Sequence, residues 1–191
     1  MRKHLYLLLD FVTGPKATIE LLKQEDYFGY SFFVFAAAFF TQTLGNQLIL
    51  FTDRAHTPSL IHINFIFSTC VMLTLLVIYI AWIHFSASLL NKPGNIKLLL
   101  TAVNLSFVPL FLLFPLGQIT AAFIPWPFEF FSALSSMIYL WVIVLFFISV
   151  KNTYALSGFQ TLSTLTSPLI FIPVFVVLMI LGVIIIVFSL R

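Results

Sequence analysis

The sequence predicts an all-α polytopic transmembrane bundle of five spans, and three observations carry that prediction. Of 191 residues 61% are hydrophobic and only 8% charged, where soluble domains carry about 25% charged residues. Five apolar runs are long enough to cross a bilayer. The linkers between them are short and the basic residues fall asymmetrically among them.

The N-terminal segment 1–27 precedes the first span. "MRKHLYLLLDFVTG" has the basic start of a secretory leader in Arg2 and Lys3, but Asp10 interrupts its short apolar stretch, so no cleavage is expected. "GPKATIELLKQED" then reads as a short helix. Gly14 or Thr13 can cap it, and Pro15 suits the first position, where the missing N–H costs nothing. Ile19 and Leu22, with Leu21 beside them, give one apolar side, while Lys16, Glu20 and Lys23 stand at pairing distances. That pattern predicts an amphipathic helix on the cytoplasmic membrane surface.

The transmembrane domain, 28–191, follows. A span needs about 20 residues at 1.5 Å each, and the runs Phe28–Phe51, Ile63–Ile83, Leu98–Leu116, Phe131–Val150 and Leu169–Leu190 meet that length. Trp82 and His84, at the end of the second, are expected at headgroup level. In the third, Pro109 and Pro115 interrupt the hydrogen-bond ladder. Pro168 is expected to start the fifth. With the N-terminus in the cytoplasm, Arg2, Lys3, Lys16, Lys23, Lys92, Lys97 and Lys151 lie inside, and Arg54 and Arg191 outside. This positive-inside bias puts the C-terminus on the extracytoplasmic side.

Few residues suggest chemistry. The acids Asp10, Glu20, Glu25, Asp26, Asp53 and Glu129 all fall at ends or in loops, which disfavours a carboxylate proton relay. His4, His56, His62 and His84 are scattered and form no i, i+4 pair, and Cys70 stands alone, so no metal site, cofactor or catalytic residue is expected. "LSGFQ" reads as a turn before the fifth span. The net charge of +3 is too scattered to suggest nucleic acid. Uncharged polar groups remain. Gln42 and Asn46 share a face of the first span, Thr101 and Asn104 a face of the third, and Ser106 can hydrogen-bond a carbonyl freed by Pro109. Such groups act as interhelical glue; the alternative is a polar ligand pathway that bends at Pro109.

Two motifs and their order carry a resemblance. "DYFGY" just before the first span has Asp26, Phe28 and Gly29 where the Yip-type membrane protein family (the Yip-one domain) has an Asp-Leu-Tyr-Gly-Pro-like motif, with Tyr30 in place of its proline. "NLSFVP" keeps Ser106 and Pro109 of a third-span motif but lacks the Gly-Tyr pair. "NKPGNIKLLL" and "YALSGFQTL" look similar to divergent prokaryotic members. The resemblance covers nearly the whole chain. It implies a five-span bundle in a prokaryotic cytoplasmic membrane and a protein partner, contacted through Asp26, Phe28 and Gly29. Eukaryotic members are partners of Rab GTPases through a long N-terminal region, and here only about 27 residues precede the first span, too few for a separate domain.

The expected function is therefore a non-enzymatic scaffold, adaptor or membrane-organising protein, in contact with lipids and a protein partner. Self-association is compatible with it. The alternative is a small permease or a lipid- or solute-handling protein using Gln42, Asn46, Thr101, Asn104 and Pro109.

Overall fold

The computed structural model of the chain describes residues 2–52, 61–92 and 94–170, and among these there is helix but no strand. The elements are α1 (Arg2–Thr13), α2 (Pro15–Leu22), α3 (Phe28–Thr52), α4 (Ile61–Leu89), α5 (Ile96–Leu105), a 3-10 helix (Val108–Leu112), α6 (Leu113–Phe123) and α7 (Pro127–Thr153). A further helix, α8, occupies 158–170. Among the described residues four stretches are long and apolar enough to cross a membrane: Phe28–Ile49, Phe65–Leu89, Ile96–Phe123 and Pro127–Thr153. The chain is thus an all-helical protein of integral membrane type. The expected fifth span, Leu169–Leu190, lies beyond residue 170 and so, but for its first two residues, outside the described residues.

The N-terminal segment folds as two helices against the bundle. Gly14 N-caps α2 without a side-chain bond and Pro15 opens it, as its missing N–H allows. Ile19 and Leu22 are buried, but Leu21 is exposed, because a 3.6-residue turn puts it outside that face. The apolar side does not lie on the membrane surface as the sequence suggested. It joins Leu7 and Phe11 of α1 in one core cluster with Val34, Ala102, Leu105 and Leu145 of the spans. The helix α1 was not legible as a sequence element. Its opposite side leaves Leu5, Tyr6 and Leu9 exposed.

The third span is the most enclosed, with 61% of its apolar stretch buried against 11% for the second. It is not one helix. The chain leaves α5 after Leu105, makes the 3-10 helix and restarts as α6. Pro109 stands in the first positions of the 3-10 helix and Pro115 in the first turn of α6. Each therefore sits where an N–H has no intrahelical partner to lose. Thr41 Oγ1 of α3 donates to the Ala38 carbonyl at 2.8 Å and lies 3.4 Å from the Leu110 carbonyl, so a polar group of a neighbouring helix stands beside the break. Close packing holds the second half in place. A Cβ on Gly45 would stand 2.6 Å from the Leu113 carbonyl oxygen, and one on Gly117 3.0 Å from that of Gly45. Only glycine lets these backbones approach so closely.

The turn after α7 packs against α4. Tyr154 is buried at 2% exposure, and its hydroxyl lies 2.8 Å from His84 Nδ1. His84 is therefore an internal hydrogen-bonding partner of the turn after α7. Trp82 likewise points inward, its Nε1 donating to Ser167 Oγ at 3.0 Å. The helix α8 starts ten residues before Pro168, not at it. Ser157 Oγ accepts from the Gln160 N–H, and Gln160 Oε1 accepts from the Ser157 N–H. That reciprocal capping box fixes the start, so "LSGFQ" is a helix start as well as a turn. Pro168 inside the helix frees the Thr164 carbonyl, and Ser167 Oγ donates to it at 2.9 Å, the repair expected of a hydroxyl beside a proline.

Candidate functional site: a polar collar at one end of the bundle

The beginnings of α3 and α5, the end of α7 and the two N-terminal helices meet at one end of the molecule. "QEDYFGY" ties them together. Asp26 accepts twice: from the Phe28 N–H at 3.1 Å, which caps α3, and from Lys97 of α5 at 2.6 Å. The Lys97 ammonium also lies 5.4 Å from the Phe28 ring centroid, within cation–π range. Glu25 accepts from Lys3 of α1 at 2.6 Å and from the Tyr27 hydroxyl at 2.5 Å. The His4 ring packs edge-on against Tyr27 and Tyr30, and the Tyr30 hydroxyl donates to the His4 carbonyl at 3.2 Å.

These contacts shift the ionisable groups. The hydrogen bond from Lys97, helped by the Phe28 amide, holds the Asp26 carboxyl below its ordinary range. The bonds from Lys3 and Tyr27 do the same for Glu25. Lys3 and Tyr27 are pushed up in return, each chiefly by its bond to Glu25. Both ion pairs with Lys3 and Lys97 are exposed, so their contribution is more to orientation than to stability.

Asp26 and Phe28, expected as partner contacts, are thus engaged within the chain, Asp26 while still exposed, and Gly29 is exposed as well. A Cβ there would meet nothing within 4 Å. Glu25 and Lys3 had no signal in sequence beyond their charge, and Tyr27 none beyond its place in "DYFGY".

Inside the collar is a pocket of about 460 Å³, with Lys23, Glu25, Asp26 and Lys97 along it and Thr101 and Thr153 among its lining. The two threonines are 4% and 8% exposed. Thr101 donates to the Lys97 carbonyl at 2.9 Å, whereas the buried Thr153 hydroxyl has no partner. Asn95 caps α5 by accepting from the Lys97 and Leu98 amides.

The candidate residues of the third span continue inward from there. Asn104, fully buried, donates from Nδ2 to Ser31 Oγ at 3.2 Å, and Ser106 Oγ lies 3.1 Å from Ser149 Oγ. Ser106 Oγ also donates to the Ala102 carbonyl at 3.0 Å. Asn104 Oδ1 is left without a partner. Ser31, Ser149 and Thr153 were missed in sequence, although Ser149 and Thr153 are four apart on one face of α7, the spacing that could have found them.

Gln42 and Asn46 do not join this group. Gln42 Nε2 donates to Tyr139 of α7 at 2.8 Å, its buried Oε1 has no partner, and Asn46 borders a separate cavity of about 260 Å³ with Phe131 and Ser135. Ser31 and Gln42 are about 16 Å apart along α3. Between them the rings of Phe35, Phe39 and Phe107 pack at 4.7–5.6 Å. Pro109 is buried beside this layer. Among the described residues no three His, Cys, Asp or Glu gather to hold a metal ion.

Comparison with known protein families, with curated proteins and with solved structures finds no match to this chain.

Proposed function

We propose that the chain is a non-enzymatic, five-span membrane protein of the Yip-domain type, acting as a scaffold or adaptor for a protein partner. Its N-terminus faces the cytoplasm and its C-terminus the other side, and a prokaryotic cytoplasmic membrane is its setting. One observation carries this reading: the buried polar group of the third span and the half-buried pair Gln42 and Asn46 are separated by the layer of Phe35, Phe39 and Phe107. Hydroxyls and amides so divided bind helix to helix, and the collar, braced by its own ion pairs, offers a preformed surface. The test is affinity purification from native membranes in mild detergent with mass spectrometry of what is retained. A stoichiometric partner is expected with the natural chain and is lost with Gly29→Trp, whose side chain starts in open space. Retention of the same partner by that variant removes the collar from the interface, and absence of any partner removes the adaptor.

A permease reading draws on the unpartnered acceptors Gln42 Oε1 and Asn104 Oδ1. A solute flux in proteoliposomes that disappears with Asn104→Leu and Pro109→Leu would put it first.

A further inference from the structure

We propose that the collar pocket binds a zwitterionic group bearing both a phosphate and a primary ammonium, of the phosphoethanolamine type. This goes beyond the adaptor reading and does not rest on it. The pocket, about 460 Å³, is of a size that holds small ligands. It lies among the start of α3, the start of α5 and the end of α7, the level at which the apolar spans give way to polar chain.

Its chemistry is balanced. Lys23 and Lys97 supply two cationic donors, and Glu25 and Asp26 two anionic acceptors. A simple anion would face both carboxylates, and a simple cation both ammonium groups. A group carrying both charges meets opposite signs at both ends. The lysines and carboxylates already pair with Glu20, Lys3 and one another. Those pairs are exposed, carboxylate oxygens have spare lone pairs, and an ammonium has three donors, so a ligand can share them without breaking them.

The buried wall provides the second argument. Thr153 lines the pocket at 8% exposure and its hydroxyl is unpartnered. A buried hydroxyl without a partner is costly in a finished structure. Here it can donate to a phosphate oxygen, while the Thr101 oxygen, whose proton is committed to the Lys97 carbonyl, accepts from the ligand. Methylating the ammonium removes all its N–H donors, so a choline group loses its bonds to Glu25 and Asp26. A glycerol group lacks the positive charge altogether.

The test uses the full chain in dodecyl maltoside, with unfolding followed by tryptophan fluorescence. The probes are dihexanoyl phosphatidylethanolamine, its phosphatidylcholine and phosphatidylglycerol counterparts, and soluble glycerophosphoethanolamine. A saturable rise in unfolding temperature is expected with the ethanolamine lipid, and binding about tenfold or more weaker with the other two lipids. An equal response to glycerophosphoethanolamine identifies a free soluble ligand of this chemistry; a response needing the acyl chains identifies a lipid. Thr153→Val should fold at least as well as the natural chain, because its hydroxyl has no bond to lose, yet bind about tenfold more weakly. Lys97→Gln should weaken binding similarly. Equal responses to all three lipids, no response to either ethanolamine probe, or full binding by Thr153→Val would overturn the proposal.

Discussion

The carboxylate of Asp26 meets the ammonium of Lys97 at 2.6 Å, joining the beginnings of the first and third spans. Because this contact and the Phe28 amide depress the Asp26 pKa, the stabilisation it gives is complete above the unfolded value of about 3.9. It is lost as pH falls through the lower folded value. Glu25 behaves alike. The unfolding temperature in detergent should therefore drop below about pH 4, and less steeply in Asp26→Asn. An unchanged acid limb in that variant would mean the pair adds nothing to stability.

Two glycines of the same helix should respond in opposite ways. Gly45→Ala forces a methyl to 2.6 Å from the Leu113 carbonyl oxygen, a backbone clash that should cost about 1–3 kcal/mol. Gly29→Ala meets nothing and gains helix propensity, up to about 1 kcal/mol. Thermal unfolding of the two variants side by side measures both effects. Similar losses would place the α3–α6 contact elsewhere.

At the alkaline end Tyr154 dominates. Burial pushes its hydroxyl up to about 12. A neutral group favoured in this way contributes stability that is whole below the unfolded value of about 10. That stability is lost as pH rises towards 12. Tyr154→Phe should be less stable at neutral pH by about 1 kcal/mol, through the lost bond to His84, but should show a flatter alkaline decline. Absorbance titration near the phenolate band counts the late-ionising tyrosine directly.

The capping box at the start of α8 gives a fourth stability test. Ser157→Ala removes the acceptor of the Gln160 amide and should cost about 1 kcal/mol. Gln160→Glu keeps the acceptor for the Ser157 amide and places negative charge in the first turn, so it should be neutral or mildly stabilising. Hydrogen exchange at residues 157–161 reports the fraying.

Much of the architecture was legible because lipid imposes a length rule. Phe28–Phe51 was expected where α3 runs Phe28–Thr52, and Phe131–Val150 falls inside α7. The rule is blind where apolarity and helicity part. The third run is one span, interrupted where Pro109 and Pro115 announce it, but composition does not distinguish a kinked α-helix from a 3-10 turn between two helices. The α8 start was missed for the opposite reason: residues 161–167, rich in Ser and Thr, are helical without being apolar, and only Ser157 and Gln160 mark them. The candidate polar residues were legible one by one. Their grouping was not, since Ser31, Ser149 and Thr153 come from other helices and pairing across helices leaves no periodic trace.

The broken third span has a mechanical consequence. A 3-10 helix rises about 2.0 Å per residue and an α-helix about 1.5 Å, so the five residues Val108–Leu112 lengthen the crossing by about 2.5 Å. Bilayers of different compartments and compositions differ in thickness by a few ångströms. The link thus sets the reach of this span by an amount comparable to that spread, at a pitch that the close approach of Gly45 to Leu113 and Gly117 holds in place.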